Sequence, residues 1–345
     1  MKLAITLRVH PSSGIDMETV WEAERLGYEA AWCGEAYGTD AVSPVAWVLA
    51  QTEKIKAGTS IMQMPARTPA CAAMTAMTLQ ALSGNRFLCG IGPSGPQVVE
   101  GWHGVPFGKP LLRTREYIAI IRQILERRAP LEYKGEHYQI PYAGPGATGL
   151  GKPLRSILHG DPGLKIYTAA IAPAGLRTAG EVADGVLPFF MSPERSEAIA
   201  APVLEGIARA GGGKTLSDFD IAPYVRIALG DDLAVCRDAI RPQLALYIGG
   251  MGARSKNYYN DLTKRLGYEA AAGEIQDHFL AGRRKEAEAA VPDALIDETS
   301  LIGPKERIRD RFEAWKAVAK DRRVGTLLLV GATQEALRIV AEAAL

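Results

Sequence analysis

Short apolar runs alternate with helix-period stretches from one end of the chain to the other. The first run is Leu3 to Val9. After the turn residues Pro11 to Gly14, the residues Met17, Val20 and Trp21 share one helical face that stops at Gly27. Further strand-like runs are Ala30 to Cys33, Ile55 to Met62, Arg86 to Ile91, Ile166 to Ala170, Gly185 to Pro188, Asp220 to Ala228 and Thr326 to Val330. Helical patterns fall between them. One runs from Pro69 to Leu82, with proline suited to the first turn, and another carries Tyr117, Ile120, Ile121 and Ile124. The last aligns Leu337, Val340, Ala341 and Ala344 on one face. Short strands apolar on both faces are expected where a parallel sheet is covered by helices. About eight such units predict an α/β fold, a (β/α)8 TIM barrel in one domain over residues 1–345. Two segments break the alternation and are read as insertions. The first, 131–160, holds a hairpin turning at Lys134-Gly135 and a glycine-rich loop; the second, 249–299, is mostly helical and charged.

Composition narrows the function classes. The 345 residues are 47% hydrophobic and 23% charged, as in ordinary globular proteins, and the net charge of +1 lacks the basic excess of a nucleic-acid binder. Cys33, Cys71, Cys89 and Cys236 form no CxxC pair, so neither zinc nor a disulfide framework is expected. No histidine or carboxylate spacing suggests another metal site. The stretch from Cys71 to Leu82 is too short to span a bilayer, and Met1 to Val9 enters a strand without a signal-peptide core. A cytoplasmic protein without membrane or nucleic-acid partners is the expectation.

Residues Gly90 to Gly95 read G-x-G-x-x-G, the spacing of a dinucleotide-binding turn. The context is wrong for it. The glycines follow the fourth strand-like run, Pro93 interrupts them, and the next acidic residue at suitable distance, Glu116, lies in a helical stretch. A loop at the C-terminal mouth of a barrel, where backbone approaches a ligand, explains them better. The stretch Gly211 to Thr215 likewise fails as a phosphate loop, because Ala208 stands where the first glycine is needed.

Several stretches taken together carry more information: GTSIMQMPARTP (58–69), TLQALSGNRFLCGIGPSGPQVVEGWHG (78–104), RTREYIAIIRQIL (113–125) and LIGPKERI (301–308). In this order they resemble the luciferase-like (bacterial luciferase) superfamily of flavin and deazaflavin oxidoreductases. WCGEAYGTDA and YIGGMGAR are similar to the branch that uses coenzyme F420, a 5-deazaflavin. The resemblance implies a barrel with insertions and an enzyme that passes hydride between the deazaflavin and a small organic substrate at a C=O, C=N or C=C bond. It also implies a homodimer. An FMN-dependent monooxygenase and a degenerate, non-catalytic cofactor-binding barrel are the alternatives.

The resemblance assigns residues as well. Ser60 and Ile61 match a bulge with a non-prolyl cis peptide that backs the cofactor ring. Gly92, Pro93, Ser94, Gly95, Pro96 and Gln97 match the loop edging the ring. Ala170, Ile171, Ala172 and Pro173 match the phosphate-binding loop, although relatives carry glycine and polar residues there. At the end of the second strand some relatives place an acid followed by a catalytic histidine; here Glu35 is followed by Ala36. Glu35 is a proton donor, or orients the cofactor, or is a buried partner of Arg67 or of a loop amide. Tyr37 and His10 are the other candidates for proton transfer. Glu100, Trp102 and His103 are expected on the helix after the glycine loop.

Overall fold

In the computed structural model, which describes residues 1–344, the first apolar run forms β1 (Lys2–Thr6). It is shorter than expected because Val9 and His10 leave the sheet and pair with Ile15 and Gly14 in a small antiparallel hairpin. The other strands are β2 (Ala30–Cys33), β3 (Lys56–Thr59), β4 (Phe87–Gly92), β5 (Ile166–Thr168) and β6 (Gly185–Val186). Then come β7 (Asp220–Ile221), β8 (Tyr224–Leu229), β9 (Ser300–Gly303) and β10 (Thr326–Val330). The run 55–62 is not one strand: after β3 the chain breaks at Ser60-Ile61, and Met62–Gln63 pairs separately with β4.

All of these strands are parallel and lie in one sheet. Its path runs β7, β6, β5, β4, β3, β2, β1, β10, β8, β9. Neighbours follow chain order from β1 to β7, without the strand-order reversal of a dinucleotide-binding sheet. Only Ala222 and Pro223 separate β7 from β8. The amide of Ala222 donates to Val186 O at 2.9 Å, while Pro223 O accepts from Leu328 at 3.0 Å, so segment 220–229 touches both ends of the path.

Alternation along the strands builds two apolar layers. In β1, Leu3 and Ile5 face the covering helices, whereas Ala4 faces the opposite side with Ala30, Trp32, Leu88, Tyr167, Ala222, Tyr224 and Leu328. Trp32 meets Tyr167 edge-on at 5.1 Å inside this inner layer. The outer layer is closed by helices such as Pro69–Ser83, Pro110–Glu126 and Gln334–Ala344, which bury Met77, Ile121 and Leu337. Thr68 caps the first of them by accepting from the Cys71 amide at 3.2 Å, directly before Pro69. Helix Val42–Gln51 and strand β9 were not anticipated from the pattern.

The two interruptions differ in kind. In 131–160 the hairpin pairs Tyr133–Lys134 with Gln139–Ile140, and its turn is 135–138 instead of a tight turn at Lys134-Gly135. The reason is Glu116, whose carboxylate accepts the amides of Glu136, His137 and Tyr138 and so holds the wider turn. Segment 249–299 is helical, with Tyr258–Arg265, Glu269–Leu280, Arg284–Ala289 and Asp293–Thr299 packed around their own apolar cluster.

Candidate cofactor and substrate site

The C-terminal ends of the parallel strands gather nearly every residue singled out in the sequence. At their centre, the Ser60-Ile61 peptide bond is cis, as the resemblance implied. The Ser60 amide donates to Cys33 O at 2.6 Å, and its carbonyl accepts the Tyr224 hydroxyl at 2.8 Å. Tyr224 therefore crosses the interior from β8 to the end of β3. Burial pushes its phenol well above the usual range, so it remains a donor to that carbonyl.

The glycines also have a packing purpose that the spacing did not show. Gly90 and Gly92 still belong to β4, and both are required by close packing between strands. A Cβ on Gly90 would stand 1.8 Å from Thr59 O, and one on Gly92 would stand 2.2 Å from the Ile61 side chain. Thr59 seals the contact, its hydroxyl donating to Gly90 O at 2.6 Å and accepting from Gly90 N at 3.0 Å. The glycine pattern thus accommodates the break in the neighbouring strand. Past Gly92, the loop through Pro93, Ser94 and Gly95 leads into helix Pro96–Gly101, with Gln97 exposed on its first turn. Among the described residues, the amides of Ser94 and Gly95 have no backbone partner and remain available as donors.

Ala170, Ile171 and Ala172 lead from β5 into helix Pro173–Val182, where Ala172 stands at the N-cap and offers no side-chain cap. The first amides of this helix are open to an anion. The positive side chain that the alanine-rich loop lacks comes from elsewhere. Arg265, at the end of helix Tyr258–Arg265, donates to Ile171 O at 3.0 Å and has no ion-pair partner among the described residues. Burial lowers its pKa, opposed by Asp261. No local pattern announces Arg265, since the contact spans 94 positions.

Glu35 is held on three sides. Both its oxygens accept from Arg67 Nη1, at 3.0 and 2.8 Å, and one also accepts the Gln63 amide at 2.8 Å. The side chains of the pair are only 9% and 18% exposed, so Glu35 sits as a fixed acceptor. Gln63, fully buried, donates to Ala36 O at 2.6 Å and accepts from His103 Nε2 at 3.0 Å. With its oxygen facing the imidazole, the amide can only accept there, which fixes the tautomer with Nε2–H. Glu100 lies on helix Pro96–Gly101, but Trp102 caps that helix and His103 follows it, a correction of two residues. Tyr37 is 63% exposed on the loop after β2, and His10 is exposed on the hairpin after β1. No hydrogen bond joins His10, Glu35 and Tyr37 to one another among the described residues.

The opposite wall is aromatic. Phe189 stacks on Tyr224 at 4.2 Å and on Tyr247 at 5.3 Å, and Tyr247 meets Tyr259 edge-on at 4.7 Å. Arg226 stands among them on β8, two residues beyond Tyr224. A surface hollow of about 730 Å³ between helices Asp293–Thr299 and Lys305–Lys320 is larger, but its Arg307 and Arg311 are already paired with Asp297 and Glu194.

With this geometry in place, comparison with known proteins is decisive at the level of family. The sequence pattern described as luciferase-like monooxygenase matches residues 16–322. The chain belongs to the luciferase-like family. It is 42% identical over 301 residues to a Mycobacterium tuberculosis protein provisionally named coenzyme F420-dependent oxidoreductase Rv3520c, covering 87% of each chain. Among solved structures it resembles the coenzyme F420 dependent tetrahydromethanopterin reductase from Methanopyrus kandleri, with a TM-score of 0.79 and 23% identity. That match covers 99% of this chain and 97% of the other. An F420-dependent secondary alcohol dehydrogenase in complex with an F420-acetone adduct matches at a TM-score of 0.74 and 16% identity, over 99% and 97%. At such identities these structures speak for the fold, a luciferase-like parallel α/β architecture. No described helix is long and apolar enough to cross a membrane.

Proposed function

We propose that this member of the luciferase-like family is a cytoplasmic oxidoreductase that uses coenzyme F420. On this reading the sheet closes through segment 220–229 into a single (β/α)8 barrel, and the enzyme passes hydride to or from a small organic substrate at a C=O, C=N or C=C bond. The observation that carries it is the break in the third strand at Ser60-Ile61, its carbonyl held by Tyr224, set at the strand ends between the free amides of Ser94 and Gly95 and the aromatic wall. The 42% identity to a relative provisionally named as F420-dependent points the same way.

The residues present suit such a cofactor. Tyr224 holds the Ser60 carbonyl and so fixes the backbone against which a planar ring would lie. Ser94 and Gly95 offer amides to ring carbonyls or the polyol chain, while Gln97 lies at the outer edge. The helix start at Ala172 and Pro173, with Arg265 beside Ile171, suits a phosphate. Bound there, the deazaflavin would supply the hydride chemistry; the protein orients it and limits access of water. Glu35, locked by Arg67 and Gln63, acts as a positioning residue for the bulge. Proton transfer at the substrate falls to Tyr37 or His10, both open at the rim.

Exposed Trp47, Met74 and Leu82 on the adjoining helices Val42–Gln51 and Pro69–Ser83 support a homodimer. The FMN-monooxygenase reading keeps support from the family's description. Titrating F420, FMN and NADPH into purified protein separates the readings. F420 is expected to bind most tightly and to show substrate-dependent reduction or oxidation. Uptake of NADPH alone would refute the cofactor assignment, FMN uptake with oxygen consumption would favour the monooxygenase, and F420 binding without turnover the degenerate barrel.

A further inference from the structure

Arg226 is the one charged side chain on the aromatic wall that the account so far leaves without a purpose. It projects from β8 on the same side of the strand as Tyr224, which belongs to the inner apolar layer. Its Nε donates to the side-chain oxygen of Gln243, which fixes the plane of the guanidinium. Among the described residues its terminal nitrogens have no protein partner, yet they are not among the polar atoms sealed from solvent. Among the described residues no carboxylate pairs with it. Burial lowers its pKa, Arg8 acts in the same direction, and only the Tyr247 phenol opposes them. A half-buried guanidinium with no acid nearby and a second arginine in range is a site for an anion, because an uncompensated charge is costly to keep from water.

Its position says which anion. The path from β3 to β8 takes four steps through β2, β1 and β10, and β8 faces β3 closely enough for Tyr224 to bond Ser60. Arg226 lies two residues farther toward the strand ends, about 7 Å beyond Tyr224 along the strand. A ring backed by Ser60 and Ile61 would turn its open face toward this wall. The cavity beside Arg226 is about 20 Å³, room for roughly one water. So small a space suits the oxyanion end of a larger molecule lying in the mouth, beside Phe189, which lines the cavity and stacks on Tyr247.

We infer that Arg226, oriented by Gln243, binds a carboxylate of the substrate, so that the enzyme acts on small organic acids whose apolar part rests on the Phe189–Tyr247 wall. This assignment rests on the deazaflavin reading for the placement of the ring. The guanidinium fork suits a carboxylate in two-point contact, which a lysine would not reproduce.

The test uses benzoate as the probe and benzamide as its neutral counterpart, titrated into wild type, Arg226→Gln and Arg226→Lys, each with and without F420. Wild type is expected to prefer benzoate, and Arg226→Gln to weaken benzoate by about 10- to 100-fold, the range for a charge-assisted contact. Arg226→Lys should fall between them. Affinities for benzamide and F420 should be unchanged in both variants, which also shows that they fold. Equal benzoate affinity in wild type and Arg226→Gln overturns the proposal, as does a wild type without preference for benzoate. Loss of F420 binding in a folded Arg226→Gln variant overturns it too, by giving the guanidinium to the cofactor's own anionic groups. A wild type that refuses F420 while its benzoate binding still depends on Arg226 sinks the deazaflavin reading and leaves the anion site standing.

Discussion

The two walls of the strand mouth are built on opposite rules. On the side of β2, β3 and β4, polar groups are paired: Thr59 with Gly90, Glu35 with Arg67 and Gln63, Gln63 with His103. On the side of β6 and β8, large aromatic rings meet face to face and edge to edge, and Arg226 has no acidic partner among the described residues. On the first wall these side chains are satisfied within the protein and backbone amides are left for a ligand, which suits a fixed cofactor present in every turnover. The second presents apolar surface and one unmet charge, which suits a partner that comes and goes. Rigidity and recognition are thus separated across a few ångströms, with the Tyr224 hydroxyl as the link between them.

If that contrast is right, damage to the first wall costs stability before chemistry. The largest effect is expected from Gly90→Ala, whose added methyl would stand 1.8 Å from Thr59 O. A destabilisation of about 3 kcal/mol in urea unfolding is expected, since backbone must shift. A variant as stable as wild type would show that the strands are not so tightly apposed.

Glu35→Gln comes next. It removes the charge from a largely buried pair with Arg67 and should lower stability by about 2 kcal/mol. Activity is expected to fall with cofactor affinity, while the pH profile of kcat keeps its shape. A pH limb of kcat that disappears in Glu35→Gln, with F420 affinity intact, would make Glu35 the proton donor instead of a positioning residue.

Cutting the link between the walls is milder. Tyr224→Phe leaves the stacking on Phe189 and removes only the bond to Ser60 O, a loss of about 1 kcal/mol. The cofactor should bind more weakly, but benzoate should not. Equal losses for both would mean that the walls act as one unit.

The smallest effect concerns the foot of the second wall. Asp220 on β7 is buried, and burial raises its pKa above 3.8 despite hydrogen bonds from Thr326 and Tyr167. The native state therefore holds this proton more tightly than the unfolded chain. The stability it confers is complete below 3.8 and is lost as pH rises through the raised native value. Denaturant titrations of wild type and Asp220→Asn across that interval should show the variant gaining relative to wild type with increasing pH, with a slope of at most about 1.4 kcal/mol per pH unit. A pH-independent difference would place the native pKa of Asp220 at its ordinary value.

Much of the frame was legible because burial on both faces leaves a plain mark. Ala30–Cys33 and Thr326–Val330 are bounded as their apolar runs predict. β9 escaped notice because its four residues follow a polar helix and carry serine and glycine at their ends. The break at Ser60-Ile61 was visible only through family resemblance, since nothing in the hydrophobic pattern marks it. The packing demand at its neighbours Gly90 and Gly92 was not legible, because spacing reveals a missing side chain and not what occupies the space. The Glu35–Arg67 pair was one of two readings open from sequence. Arg265 and Arg226 could not be recognised, for an arginine becomes notable only when folding leaves it without an acid.

The most direct test of the central claim is the crystal structure of the protein with F420 bound. One face of the deazaflavin ring is expected against Ser60 and Ile61 and the other open toward Phe189 and Arg226. A ring bound elsewhere, or turned with its open face toward β3, would contradict it.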